Sequence, residues 1–207
     1  DLNISIISDI IFDPHFPPLM MSYFGKNARI YPIPYGEHND DENRKRLENS
    51  DFVVVWLNLE ASYLHACDAL YLQPASDQRI IESIVTSCKK LYADISAYSN
   101  ASTLWFLFED YFEKLSVVTG YLYNALVDKI NVELSDALKN DVSFIDLKRL
   151  IAEVGIASAY DPKGKYRWNA PYSKALVEIA VKEIQKQYHI EKGITKKCLV
   201  LDCDNEI

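Results

Sequence analysis

Near its end the chain reads KKCLVLDCDN: an apolar run from Cys198 to Leu201, then Asp202 and Asp204 with one residue between them. Two carboxylates closing a strand-like run are the kind of pair that opens an active site. Near its start, the apolar run Asn3–Ser8 closes on Ser8 and Asp9. A serine in that place is a nucleophile only when a base takes its proton, normally a histidine oriented by a carboxylate. His15 lies in a proline-rich loop within reach of Ser8 but without an evident orienting partner. The segment 158–171, where a triad histidine would be expected, holds no histidine. The residues therefore argue against a working Ser–His hydrolase.

Other polar residues fall at the ends of apolar runs. Phe52–Leu57 ends at Asn58 with Glu60 just after, Thr103–Phe108 ends at Glu109-Asp110, and Val142–Ile145 ends at Asp146. The segment 158–171 adds Asp161, Lys165, Tyr166, Arg167, Trp168 and Asn169. In an open parallel sheet, ligands bind outside the carboxyl ends of the strands, so these residues would converge on one rim. Helix capping is the competing role for each Asp, Asn or Ser among them. Arg167 and Lys165 suit a carboxylate or phosphate, and Trp168 and Tyr166 suit a packed sugar or pantetheine arm or a lid.

The elements that must place this rim alternate along the chain. Phe52–Leu57 is continuously apolar and β-branched, the mark of a strand buried on both faces. Ala28–Tyr35 is extended, but its two prolines confine it to a sheet edge. A helix runs through Met20, Met21 and Phe24 to Gly25, and Asp40–Asn49 is a polar surface helix. Helices are also expected over 60–71, 76–98, 113–139, through Leu150 and Val154, and over 172–188, whereas 158–171 reads as a long loop rich in Gly, Pro and aromatics. Strands separated by helices of this length mean βαβ units, hence an α/β fold with a three-layer, doubly wound parallel sheet.

Composition narrows the partners. The net charge is −8 and the basic residues are dispersed, which excludes a non-specific nucleic-acid surface. Arg44–Arg46 reads as a solvated helix face. No run approaches a membrane span and there is no leader pattern. Cys67, Cys88, Cys198 and Cys203 lack metal or redox spacing and read as free thiols of a cytoplasmic protein. His15, His38, His65 and His189 are scattered.

The order of segments resembles a divergent SGNH-hydrolase (GDSL-esterase-like) domain. The stretch YRWNAPYSKALVEIA followed by KKCLVLDCDN is similar to the junction in the FkbH-like family, which joins such a domain to a haloacid-dehalogenase (HAD) phosphatase-type half of subfamily IIIC. The resemblance implies an SGNH-hydrolase/flavodoxin-like domain over 1–192. It implies that 193–207 are the connector and first strand of a HAD-type domain cut short. In that motif Asp202 would be the phosphoryl-accepting nucleophile and a Mg²⁺ ligand, with Asp204 the general acid/base and second carboxylate of the Mg²⁺ site in a full-length protein; Glu206 stands where Thr or Val is expected. The SGNH blocks depart from the pattern. Aligning the aspartates puts Ile10 at the nucleophile, Asn58-Leu59-Glu60 replaces Gly-x-Asn-Asp, and no histidine answers Asp-x-x-His.

Three functions follow. The first is a non-hydrolytic substrate- or carrier-binding module of a HAD-type phosphatase or acyl-transfer enzyme, with a cleft of Ser8, Asp9, Asn58, Glu60, Glu109, Arg167, Trp168 and Asn169. The family places such enzymes in polyketide or surface-polysaccharide pathways. It implies as partners the HAD domain of the same chain, an acyl carrier protein, or a small phosphorylated hydroxy acid or sugar. The second is a residual esterase or acyltransferase using Ser8. The third is a structural or dimerisation domain. This domain itself is expected to carry no cofactor.

Overall fold

The computed structural model describes residues 1–11, 16–59, 77–109 and 117–194. Five strands form one parallel sheet: β1 (Leu2–Ser8), β2 (Ala28–Pro34), β3 (Phe52–Trp56), β4 (Ser102–Phe106) and β5 (Val142–Ile145). Their order is β2-β1-β3-β4-β5, the doubly wound arrangement in which the switch point lies between β1 and β3. The expected α/β class and parallel sheet are what the chain adopts.

Alternation within the central strands explains the three layers. Phe52, Val54 and Trp56 face one side of the sheet, with Ile4, Ile6, Leu104 and Phe106. Val53, Val55, Ile7 and Trp105 face the other. Both sets are fully buried, so β3 must be apolar at every position, as its sequence is. On the first side lie α1 (Phe16–Phe24), α5 (Leu147–Val154), α6 (Ile156–Ala159) and α8 (Lys174–Glu191); on the second lie α2 (Asp41–Glu48), α3 (Asp77–Tyr98) and α4 (Val117–Leu138). Pro32 and Pro34 cannot donate ladder hydrogen bonds, and β2 sits at the sheet edge as they require.

Two sequence readings need correction. Residues 158–171 are not a continuous loop: α6 and α7 (Pro162–Trp168) occupy most of that region. Asp161 caps α7 by accepting from the Gly164 N–H at 3.0 Å, and Pro162 stands in the first turn, where its missing donor costs nothing. The glycine and proline content that suggested a loop is a cap signature. The Arg44–Arg46 face is not simply solvated either. Arg44 lies over the Tyr98 ring and Arg46 over Tyr31. The expected helix over 60–71 lies outside the described residues, as do Cys67, Cys198 and Cys203; Cys88 is a buried free thiol.

Candidate functional site

The strand-end residues meet where β1, β3 and β4 finish. Ser8 is 8% exposed. Its hydroxyl donates to the Trp56 carbonyl at 2.8 Å and accepts from the Ile10 N–H at 3.3 Å. Ser8 and Trp56 are register partners in β1 and β3, so the hydroxyl braces one strand end against the next. Its proton is directed at a backbone oxygen rather than at a base.

Asp9 continues the bracing. Its carboxylate accepts from the Asn58 N–H at 2.8 and 3.1 Å, and its carbonyl accepts from the Asn169 side-chain amide at 3.0 Å. Ile11 N–H in turn donates to the Asn169 carbonyl at 3.0 Å. Asn169 ends α7 with a left-handed backbone (φ 53°), a conformation Asn tolerates better than most residues. It thereby clasps the loop after β1 to the loop after α7. Ile10 is buried in the apolar layer beneath.

Glu109, 6% exposed, is the buried carboxylate of the rim. Tyr160 donates to one of its oxygens at 2.9 Å; the Asn58 amide and Tyr172 donate to the other at 3.2 and 3.4 Å. Burial of a carboxylate is expensive unless such donors replace water. Burial first, and then the Glu109 charge, push the Tyr172 phenol well above its usual range, so it stays protonated and able to donate. Tyr172 also stacks on Trp56, which stacks on Phe106. Tyr160 and Tyr172 face each other across an antiparallel bridge that closes the segment carrying α7. On the far side, the Asn131 amide of α4 both accepts from Phe108 N–H (2.9 Å) and donates to Phe108 C=O (2.8 Å), fixing the backbone just before Glu109.

These groups surround a crevice lined by Asn58, Glu109, Tyr160, Asp161, Lys165 and Pro171, with free space of ≈ 10 Å³. That admits about one water-sized group. The lining brings two carboxylates against one ammonium, with the Asp9 carboxylate just behind Asn58.

Of the residues picked from sequence, Asn58 and Glu109 line the crevice, while Ser8 and Asp9 support it from the strand ends. Asn169 holds the clasp. Arg167 and Trp168 are exposed on α7 and do not line the crevice. Asp146 and Asp161 serve as helix caps. Glu60, His15, Asp202 and Asp204 lie outside the described residues. Sequence reasoning missed Tyr160, Tyr172 and Asn131. The first two bracket α7, but only the fold shows that they meet. Among the described residues no group of three or more His, Cys, Asp or Glu is arranged to hold a metal ion, and no helix is long and apolar enough to cross a membrane.

No protein-family model matches the chain, and no curated protein matches it. Solved structures do. The N-terminal part of BF1531 from Bacteroides fragilis, containing a phosphatase domain and complexed with Mg, superposes with a TM-score of 0.71 at 14% identity, over 99% of this chain and 56% of that one. The lipase Lip_vut3 from a goat rumen metagenome gives 0.62 at 10% identity, covering 89% of this chain and 97% of its own. A lipase/acylhydrolase from Enterococcus faecalis gives 0.52 at 16% identity, covering 97% and 100%. The chain thus spans little more than half of the BF1531 structure and nearly the whole of each lipase. At these identities the likeness is one of fold alone, an α/β fold shared with these lipases.

Proposed function

We infer that this domain is a non-hydrolytic binding module on an acylhydrolase scaffold, serving a HAD-type phosphatase or acyl-transfer domain that follows it in the chain. The observation that carries the reading is the state of Ser8: buried, its hydroxyl bonded to a main-chain carbonyl, and with no histidine beside it among the described residues. An esterase needs that proton delivered to a base. The structural likeness to a phosphatase-containing protein supports the second half of the reading, as does the Asp202-x-Asp204 pair.

The crevice suits the hydroxyl end of a small ligand. Glu109 is an acceptor, Asn58 and Tyr160 flank it, and the acidic lining disfavours a phosphate at its base. The acid or phosphorylated end of a hydroxy acid then faces outward, toward Lys165 on the wall.

The test is turnover of short-chain p-nitrophenyl esters, with fluorophosphonate labelling, by the wild-type protein and by Ser8→Ala. No turnover and no label in either is the expected result. Turnover abolished by Ser8→Ala, with the label on Ser8, overturns the reading and makes the domain an esterase. Ser8→Ala is also expected to cost about 1–2 kcal/mol of stability in urea unfolding, since two main-chain groups lose their partner.

A further inference from the structure

Helix α7 is held in place by its backbone. Asp161 caps its start, Asn169 closes its end, and Gly164 is its one buried residue, fitted against the Ala170 carbonyl. The large side chains stand out from it. Tyr166 is 65% and Trp168 67% exposed, and Ile11, tied to the same turn through Asn169, is 59% exposed. Trp168 is the exposed one of the three tryptophans; Trp56 and Trp105 are fully buried. The seven residues of α7 also carry Lys163, Lys165 and Arg167 and no acid, in a chain of net charge −8. Lys163, Tyr166 and Arg167 stand at i, i+3 and i+4, on one face. Neither Lys163 nor Arg167 makes an ion pair or side-chain hydrogen bond among the described residues.

We propose that the exposed surface of α7, its basic residues with Tyr166 and Trp168 and with Ile11 on the loop clasped to its end, is a docking surface for an acidic protein surface that seats an apolar contact on Trp168. Exposed Trp, Tyr and Arg are the side chains enriched at the centres of protein interfaces. The charge pattern selects the partner's sign: an acidic surface is attracted here and repelled by the acidic remainder of the chain, which fixes its orientation. The docking face does not depend on what the crevice holds.

Trp168 reports on its own surface. The test follows tryptophan emission and acrylamide quenching of the whole chain during titration with a Glu/Leu amphipathic helical peptide. The same peptide with Lys for Glu is run beside it, together with vesicles of phosphatidylcholine with phosphatidylglycerol. The acidic peptide should shift the emission to the blue and shield Trp168, with binding weakened by salt. The double variant Lys163→Glu/Arg167→Glu, checked for folding by circular dichroism, should bind it about ten-fold more weakly and should now bind the Lys peptide. Absence of shielding, equal binding of both peptides to the wild type, an unchanged affinity in the charge-reversed variant, or response to the vesicles alone would each overturn the proposal. None of these outcomes bears on ester turnover.

Discussion

Gly164→Ala tests the way α7 is seated. Gly164 lies inside a helix and away from the left-handed region, so intrinsic propensity alone would favour alanine by about 1 kcal/mol. The packing demands the opposite sign. A methyl group there would stand 2.6 Å from the Ala170 carbonyl oxygen and 2.9 Å from the Asp161 carboxylate, where ordinary contact begins at 3.4 Å. Neither neighbour can step aside cheaply. Ala170 N–H is bonded to Gly164 C=O at 3.2 Å, and the Asp161 carboxylate is the cap of the helix itself. Relief must come from α7 moving off its loop by several tenths of an ångström, which loosens the cap and the Asn169 clasp. Overpacking of this kind costs about 1–3 kcal/mol, a weakened cap adds about 1, and subtracting the propensity gain leaves about 2 kcal/mol of destabilisation. With an m-value of about 2.5 kcal/mol/M for a chain of this size, the urea midpoint followed by far-UV circular dichroism should fall by about 0.8 M. A midpoint that stays or rises at unchanged m would refute the fit of Gly164 and, with it, the rigid placing of α7.

Further outcomes follow from the same contacts. The Tyr172 phenol is raised by burial and by Glu109. A raised phenol stabilises the fold fully below its unfolded value near pH 10, and that stability is lost as pH climbs toward the folded value, with a slope of up to about 1.4 kcal/mol per pH unit. Urea unfolding between about pH 9 and 11.5 should show this slope, and Tyr172→Phe should reduce it, leaving the part due to Tyr92 and Tyr188, which are also raised. At Glu183, burial alone would raise the carboxyl, but Gln187, Lys186 and Arg149 outweigh it and hold it below 4.5. Its stabilisation is therefore present above that value and lost as pH falls through the lower folded value, so the gap in thermal midpoint between wild type and Glu183→Gln should close in acid. A gap that widens in acid would contradict the assignment. Asn131→Ala removes the side-chain amide bonded to both main-chain groups of Phe108 and should cost about 1–3 kcal/mol; a neutral result would show that these two bonds do not hold the strand end.

How far the sequence could be read depends on how local the deciding contact is. The central strand was legible because burial on both faces needs an apolar residue at every position, and Phe52–Trp56 supplies one. The edge strand was legible because Pro32 and Pro34 forbid a central place. The strand-end rule picked out Ser8, Asp9, Asn58 and Glu109, which do meet. The state of those residues was not legible. The Ser8 proton is turned by a carbonyl 48 positions away, and the donors on Glu109 come from residues 51 positions before it and 51 and 63 positions on. In 158–171, Gly164 outweighed the Asp161-Pro162 cap. The residue that argued for a loop is there because helix and loop approach too closely for a side chain. Arg167 and Trp168 were expected in the cleft because their chemistry suits one; the phase of α7, which no local pattern set, leaves them outside.

In the binding-module reading, the rim's described polar groups hold the fold together rather than react. Among the described residues, polar groups of the rim join elements: Ser8 and Asp9 tie β1 to β3, Asn58 ties β3 to Glu109, and Asn169 ties the end of α7 to the loop after β1. Ile10, which the alignment of aspartates sets at the nucleophile, belongs to the buried layer with Trp56 and Phe106. Placing a serine there would bury a hydroxyl among apolar side chains and remove core volume, each at a cost of about 1–3 kcal/mol. Placing a serine at position 10 would therefore disturb the core beneath the rim. The bracing of the rim is the physical content of the binding-module reading. The same bonds that engage Ser8 and Asp9 hold Asn58 and Glu109 in the fixed positions a recognition site needs.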